Sequence, residues 1–156
     1  MSKTIKIGLD FHGVIDKHPS FFQEFNQKAR EEGWQIHIIT GGTKEEVVTK
    51  LKDWNISFDE IFSIMDFYEQ QGKTILLQNG ERHVDEKLWN QAKAQYCQEK
   101  QIDIHIDDSS LYQKWFSTPY CLYDNKTFVC QTDEGKSIVF YETPAKAIDE
   151  IKKYLA

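Results

Sequence analysis

The chain has few cysteines, no basic excess and no long apolar run, and each shortage removes a class of protein. Cys97, Cys121 and Cys130 are its three cysteines, an odd number with no CxxC spacing. That disfavours a disulfide framework and a zinc site. Their expected state is a reduced thiol, buried or half-buried, in an intracellular protein. The formal net charge is −6. A surface of that sign is poorly suited to displacing counterions from a phosphate backbone, so sequence-independent nucleic-acid binding is not favoured. A small phosphorylated ligand stays open, because a bound metal reverses charge locally. Met1, Ser2, Lys3 and Thr4 run straight into a strand pattern with no signal-peptide h-region. No apolar run is long enough to span a bilayer, so no membrane partner and a cytoplasmic location are expected. No internal repeat, low-complexity tract or linker interrupts the chain.

What is present is ordinary for one soluble domain covering residues 1–156. Apolar residues make up 40%, charged residues 28% and aromatics 13%, enough for a real core and against disorder. Strand and helix patterns alternate, which predicts an α/β fold with a mostly parallel sheet. Ile5, Ile7 and Leu9 alternate with Lys6 and Gly8 as a first strand ending at Asp10. A loop over 11–19 follows. Ser20 is the expected N-cap of a helix with Phe21, Phe22, Phe25 and Ala29 on one face, which Gly33 stops. Residues 36–39 read as a second strand ending at Thr40, before a tight turn at Gly41 and Gly42. Thr43 and Glu46 form a capping box for a helix carrying Val47, Val48, Leu51 and Trp54.

Residues 61–65 read as a short third strand. Residues 75–77 and 82–84 flank Asn79-Gly80, a hairpin signal. Asp85 is expected to cap a helix carrying Leu88, Trp89, Ala92 and Tyr96. Ile102, Ile104 and Ile106 alternate as a strand ending in Asp107-Asp108. A short helix over 111–116 and a strand over 120–123 come next. Residues 128–131 and 137–141 are expected to pair around Asp133, Glu134 and Gly135. Thr143 caps, and Pro144 starts, a final helix with Ile148, Ile151 and Leu155 inward.

The positions of the polar residues carry the functional signal. Asp10, Thr40 and Asp107-Asp108 each stand at the C-terminal end of a predicted strand, where open parallel sheets place their ligand crevice. Each has an ordinary reading alone: a turn or cap for Asp10, a turn residue for Thr40, an N-cap for one of the acidic pair. Jointly they bring three carboxylates and a hydroxyl to one place. Carboxylates packed together repel unless a cation neutralises them, and such oxygen ligands suit Mg²⁺.

These residues resemble the haloacid dehalogenase (HAD) superfamily. Ile7-Gly8-Leu9-Asp10-Phe11-His12-Gly13-Val14-Ile15-Asp16 is similar to its first motif, an apolar strand followed by DxDGV and a further Asp. Ile36-His37-Ile38-Ile39-Thr40-Gly41-Gly42 looks like the second motif. Lys87, at a helix start, is in the place of the third-motif lysine, with Lys93 and Lys73 as rivals. Ile104-His105-Ile106-Asp107-Asp108-Ser109 looks like the fourth. The resemblance spans about residues 5–123. It implies a Rossmann-like three-layer sandwich and an Mg²⁺-dependent phosphohydrolase acting on a phosphorylated small molecule. Asp10 would be the nucleophile, forming an aspartyl-phosphate. Asp10, Asp107, Asp108 and the His12 backbone carbonyl would hold the metal. Thr40, Gly41 and Lys87 would bind the phosphate. A response-regulator receiver is set aside by motif order, because there the acidic pair comes first. Dehalogenases of the superfamily need no Mg²⁺, so the acidic pair favours phosphoryl chemistry.

The departure is His12, where the family's phosphatases carry an acid/base Asp. Imidazole changes protonation near neutrality and can do both jobs. The same departure opens a second reading, a catalytically weak or inactive module that binds metal or phosphate. A large cap has no room between Asp10 and Thr40. The hairpin around 73–85 is either a small flap or, as favoured, part of the core sheet or its edge. Phe11, Phe67, Tyr68 and Trp89 are candidates for the mouth of the site, with Trp89 expected in the core. His37 and His105 are expected to be ordinary sheet residues, and no chemistry is legible beyond Tyr123. Substrate and oligomeric state have no signal.

Overall fold

A computed structural model describes residues 3–156. Its centre is a seven-stranded sheet. In chain order the elements are β1 (Lys6–Leu9), α1 (Pro19–Glu31), β2 (Gln35–Thr40), α2 (Lys44–Asp53), β3 (Glu60–Ser63) and α3 (Ile64–Gln70). Then come β4 (Thr74–Leu76), β5 (Arg82–Val84), α4 (Glu86–Glu99), β6 (Ile104–Asp107), β7 (Tyr120–Asp124), β8 (Val129–Thr132), β9 (Ser137–Val139) and α5 (Pro144–Leu155). The sheet order is β3-β2-β1-β6-β7-β8-β9. Strands β3 to β7 in that order pair in parallel, and β8 and β9 close the far edge antiparallel. The chain therefore has the expected mixed α/β, mostly parallel, Rossmann-like architecture.

The two faces of the sheet read the strand alternation differently. Ile7, Leu9, Ile36, Ile38, Ile104 and Ile106 pack with Phe22 and Phe25 of α1, Leu51 of α2 and Ile148 and Ile151 of α5. Ile39 and Ile102 pack on the opposite face against Tyr96 and Cys97 of α4. Fully burying one such aliphatic side chain stabilises by about 1.5–3 kcal/mol, so the apolar alternation sets which way each strand faces. All three cysteines are buried free thiols, as expected. Among the described residues no helix is long and apolar enough to cross a membrane.

Several local readings need correction. Ser20 does not cap α1: the helix begins at Pro19, after His18, with no side-chain cap bond. Proline's missing N–H and fixed φ suit the first turn, so it sets the start. The third strand ends at Ser63, whose hydroxyl accepts from Asp66 N–H and opens the unexpected helix α3. A single 3₁₀ turn (Gln113–Trp115) stands where a short helix is expected. The hairpin joins neither the core sheet nor its edge. β4 and β5 form a separate antiparallel ribbon, with Ile75 and Leu76 exposed.

Candidate active site

Parallel register puts the ends of β1, β2 and β6 side by side. Leu9 pairs with Ile38 on one side and Ile106 on the other. Asp10 follows Leu9 directly, and its N–H donates to the Ile106 carbonyl, 3.0 Å. Asp107 ends β6, and Asp108 follows. Carboxylate oxygens of Asp10, Asp107 and Asp108 lie within 4.8 Å of one another. The expected cluster is therefore assembled.

The cation beside it is Lys93. Its Nζ donates to Asp10 Oδ1 at 3.0 Å and to Asp107 Oδ2 at 2.8 Å, and all three groups are buried. Lys87, the expected phosphate-binding lysine, stands in the exposed first turn of α4, where its own N–H donates to the Asp85 cap. Six helical positions separate the two, which turns Lys87 well away from the face that Lys93 presents to the sheet. Lys73 is also exposed, just before β4. The discriminating signal is in the sequence: Lys93 follows Trp89 by four and sits beside Ala92 on the inward face of α4.

His105 is the second residue that its type alone does not reveal. It is fully buried and stacked on Phe116 with centroids 5.1 Å apart, and its Nε2 lies 2.9 Å from Asp107 Oδ2. Burial lowers its pKa. A neutral ring with its proton on Nε2 thus donates to the carboxylate, leaving Nδ1 without a partner. His105 and Asp107 alternate by two along β6, which puts both on one face. His37 is a structural residue of β2, as expected: it is buried, with Nδ1 2.8 Å from the Tyr96 hydroxyl, and it lies outside the cleft lining.

The electrostatics split the carboxylates. Burial pushes Asp10 well above the usual carboxylate range, and Asp107 and Asp108 add to this, while Lys93 opposes it. Burial also acts on Asp107, but the Lys93 charge and the His105 hydrogen bond outweigh it and hold this carboxyl below the usual range. Lys93 is desolvated, yet its two carboxylate partners keep it firmly protonated. One ammonium against three carboxylates leaves a negative surplus.

The cluster opens into a cleft of about 400 Å³, lined also by His12, Gly41, Gly42, Trp89 and Tyr112. His12 has its side chain half exposed, with Nδ1 3.5 Å from Asp16 Oδ2. Thr40 is buried and outside the lining, and its hydroxyl accepts from Gly42 N–H at 3.1 Å. Trp89 is half-buried, packed against the Ile64, Tyr68, Val84 and Ala92 cluster on one side and lining the cleft on the other. Its indole closes over Gly41, where a Cβ would come within 2.6 Å of the ring, and its Nε1 donates to the Tyr112 hydroxyl at 3.0 Å. Of the other mouth candidates, Phe11 and Tyr68 are buried and Phe67 is exposed away from the cleft.

Gly13 fixes the approach of the loop. Its φ is +92°, and a Cβ there would fall 2.1 Å from Asp108 Oδ2. Only glycine gives both that backbone and that clearance. Asp16 Oδ1 accepts from Gly13 N–H at 2.7 Å and holds the turn. The donor set is all oxygen, hard and carrying excess negative charge, which fits Mg²⁺.

No protein-family model matches this chain, and no curated protein matches it. Among solved structures it is similar to a glycosyltransferase from Rickettsia africae ESF-5, at 12% identity and a TM-score of 0.48. That match covers 80% of this chain, which spans 30% of the length of the other.

Proposed function

We propose that the chain is an Mg²⁺-dependent phosphohydrolase of the HAD type, cleaving a phosphorylated small molecule through an aspartyl-phosphate at Asp10. The observation that supports this best is the convergence of Asp10, Asp107 and Asp108 on the buried ammonium of Lys93, at the mouth of a cleft.

Asp10, Asp107, Asp108 and the His12 carbonyl would hold the metal. When bound, the ion supplies Lewis-acid polarisation of the phosphoryl oxygens and offsets the negative surplus. The residues of the chain do the rest. A carboxylate oxygen of Asp10 attacks phosphorus, and the ester P–O bond breaks. The departing oxygen takes a proton from the His12 imidazolium. A water molecule, giving its proton back to His12, then attacks the same phosphorus. The P–O bond to Asp10 breaks, inorganic phosphate leaves, and the carboxylate is restored. Lys93 holds Asp10 in place and neutralises charge on the transferring group, as positioning cations do in phosphoryl transfer. The Gly41 N–H would be the remaining phosphate donor, because the Gly42 N–H is taken by the Thr40 hydroxyl and Thr40 lies outside the cleft lining. Lys93, one of the rivals to Lys87, would take the role that the resemblance gives to the third-motif lysine.

A metal- and phosphate-binding module without turnover is the second reading. The position of His12 favours it: the ring is half exposed, and Asp16 engages it outside the carboxylate cluster.

The test is phosphate release from a broad panel of phosphomonoesters, with Mg²⁺ and with EDTA, for native protein and Asp10→Asn. Release that needs Mg²⁺ and vanishes in Asp10→Asn supports the hydrolase. Mg²⁺ binding with no release from any ester transfers the weight to the binding module.

A further inference from the structure

Beside the cleft lies a second, larger cavity of about 670 Å³, within the usual range for small-molecule sites. Asp108 lines both, so this residue stands at their junction. The floor of the second cavity is the open face of the β7–β8 pair. There Leu122 pairs with Gln131 and Asp124 with Val129, while the alternate residues Tyr123 and Cys130 point into the core. The wall is tied to the nucleophile loop, because Asn125 Nδ2 donates to the Gly13 carbonyl at 3.0 Å. A molecule seated on this face is thus registered against Asp10 by one hydrogen bond and one turn.

The lining chemistry restricts the occupant. Ser110, Asn125, Thr127 and Gln131 offer hydroxyls and amides, Asp108 and Asp124 offer carboxylates, and no lysine or arginine is among the lining residues. A second anionic group on the ligand would meet two carboxylates and no counter-charge, which disfavours it. The one aromatic ring, Tyr123, is 2% exposed, so no open aromatic face stacks a nucleobase. What remains is a set of neutral donors and many acceptors around a small aliphatic patch from Leu122 and Val129. That suits a ligand with several hydroxyls and a C–H face.

We infer that this cavity receives the leaving group of the phosphomonoester, and that this group is an uncharged polyol, a monosaccharide or a sugar alcohol. The inference rests on the phosphohydrolase reading of the adjoining cleft. In the cleavage the P–O bond to the polyol oxygen breaks, and the polyol departs into the cavity with the proton from His12.

The experiment compares kcat/KM, with Mg²⁺, for a hexose monophosphate, a sugar-alcohol monophosphate, a nucleoside monophosphate, a hexose bisphosphate and p-nitrophenyl phosphate. Native protein is set beside Gln131→Leu and Thr127→Val, both at exposed positions. The expected result is a preference for the two polyol monophosphates, and a fall in that preference over p-nitrophenyl phosphate by about tenfold in each variant, the worth of one hydrogen bond to a polar group. An unchanged ratio, or a native preference for the nucleotide or the bisphosphate, overturns the inference. If no ester is cleaved, the hydrolase reading fails separately, and calorimetric titration of hexose monophosphate into the Mg²⁺-loaded protein decides the cavity. Binding that weakens in Gln131→Leu supports it, and binding that is absent or unaffected overturns it.

Discussion

Lys93 and Asp10 stand 83 residues apart in the chain, and their side chains meet at 3.0 Å in a buried site. The same ammonium reaches Asp107 at 2.8 Å. Removing it leaves two desolvated carboxylates facing each other, and breaking a buried pair in this way costs about 3–5 kcal/mol. Lys93→Met is expected to lower stability by that amount in urea unfolding, and to abolish phosphate release. Because repulsion is then uncompensated, added Mg²⁺ should raise the melting temperature of Lys93→Met by more than that of native protein. An equal rise in both would mean that the lysine and the metal do not share a charge cluster.

Gly13→Ala tests the loop. A backbone at φ +92° strains any other residue, at about 1–3 kcal/mol. The new Cβ would also displace the end of Asp108, which lies 2.1 Å from where it must sit. A carboxylate end can rotate away, so the fold should survive with a melting temperature a few degrees lower. The Mg²⁺ affinity should fall further than the stability does. A variant with native Mg²⁺ affinity would show that Asp108 is not a ligand.

The strand ends were the legible part of this site. Ile7, Leu9, Ile104 and Ile106 alternate cleanly, so the sequence places Asp10 and Asp107 where the structure has them. The lysine was harder, because one helix offers several and only its packed face selects among them. Lys93 is chosen by lying beside Ala92 and Ala94 on a buried stretch, while Lys87 sits near the cap. His105 was misread because alternation alone does not say that a strand is buried on both faces, and β6 is. Helix α3 has seven residues, too few for a helical period to separate from the strand before it. The β4–β5 ribbon follows its Asn-Gly turn signal, but a turn fixes a hairpin and says nothing about which sheet it joins.

His37 makes stability depend on pH. Its ring is buried, with Nδ1 2.8 Å from the Tyr96 hydroxyl and Nε2 3.2 Å from Gln35 Oε1. Burial lowers its pKa and outweighs the Glu60 carboxylate 3.6 Å away. In the unfolded chain histidine titrates near about 6.5. Below that value the unfolded state binds a proton that the folded state resists, so stability rises with pH across the interval between the two pKa values. The contribution of the neutral ring is complete above about pH 6.5 and is lost as pH falls through the interval. The urea midpoint of native protein should therefore exceed that of His37→Gln by more at about pH 7.5 than at about pH 5.5. A gap that stays constant would remove His37 as the cause.

His12 decides between turnover and binding alone. It lines the cleft with Asp10, its Nε2 lies beside Gly42, and its Nδ1 faces Asp16. In the proposed mechanism this ring gives the leaving oxygen its proton and later takes one from water, while its side chain makes no contribution to holding metal. His12→Ala should consequently keep Mg²⁺ binding and the melting temperature, and slow phosphate release by about 10²–10⁴. The loss should be smallest for p-nitrophenyl phosphate, whose leaving oxygen departs readily without a proton. It should be largest for an alkyl phosphate. Imidazole added to the buffer is expected to restore part of the rate, because the cavity left by the side chain opens to solvent. Equal slowing of both esters would point to a structural role for the ring, and unchanged turnover on both would place the proton transfer on another group.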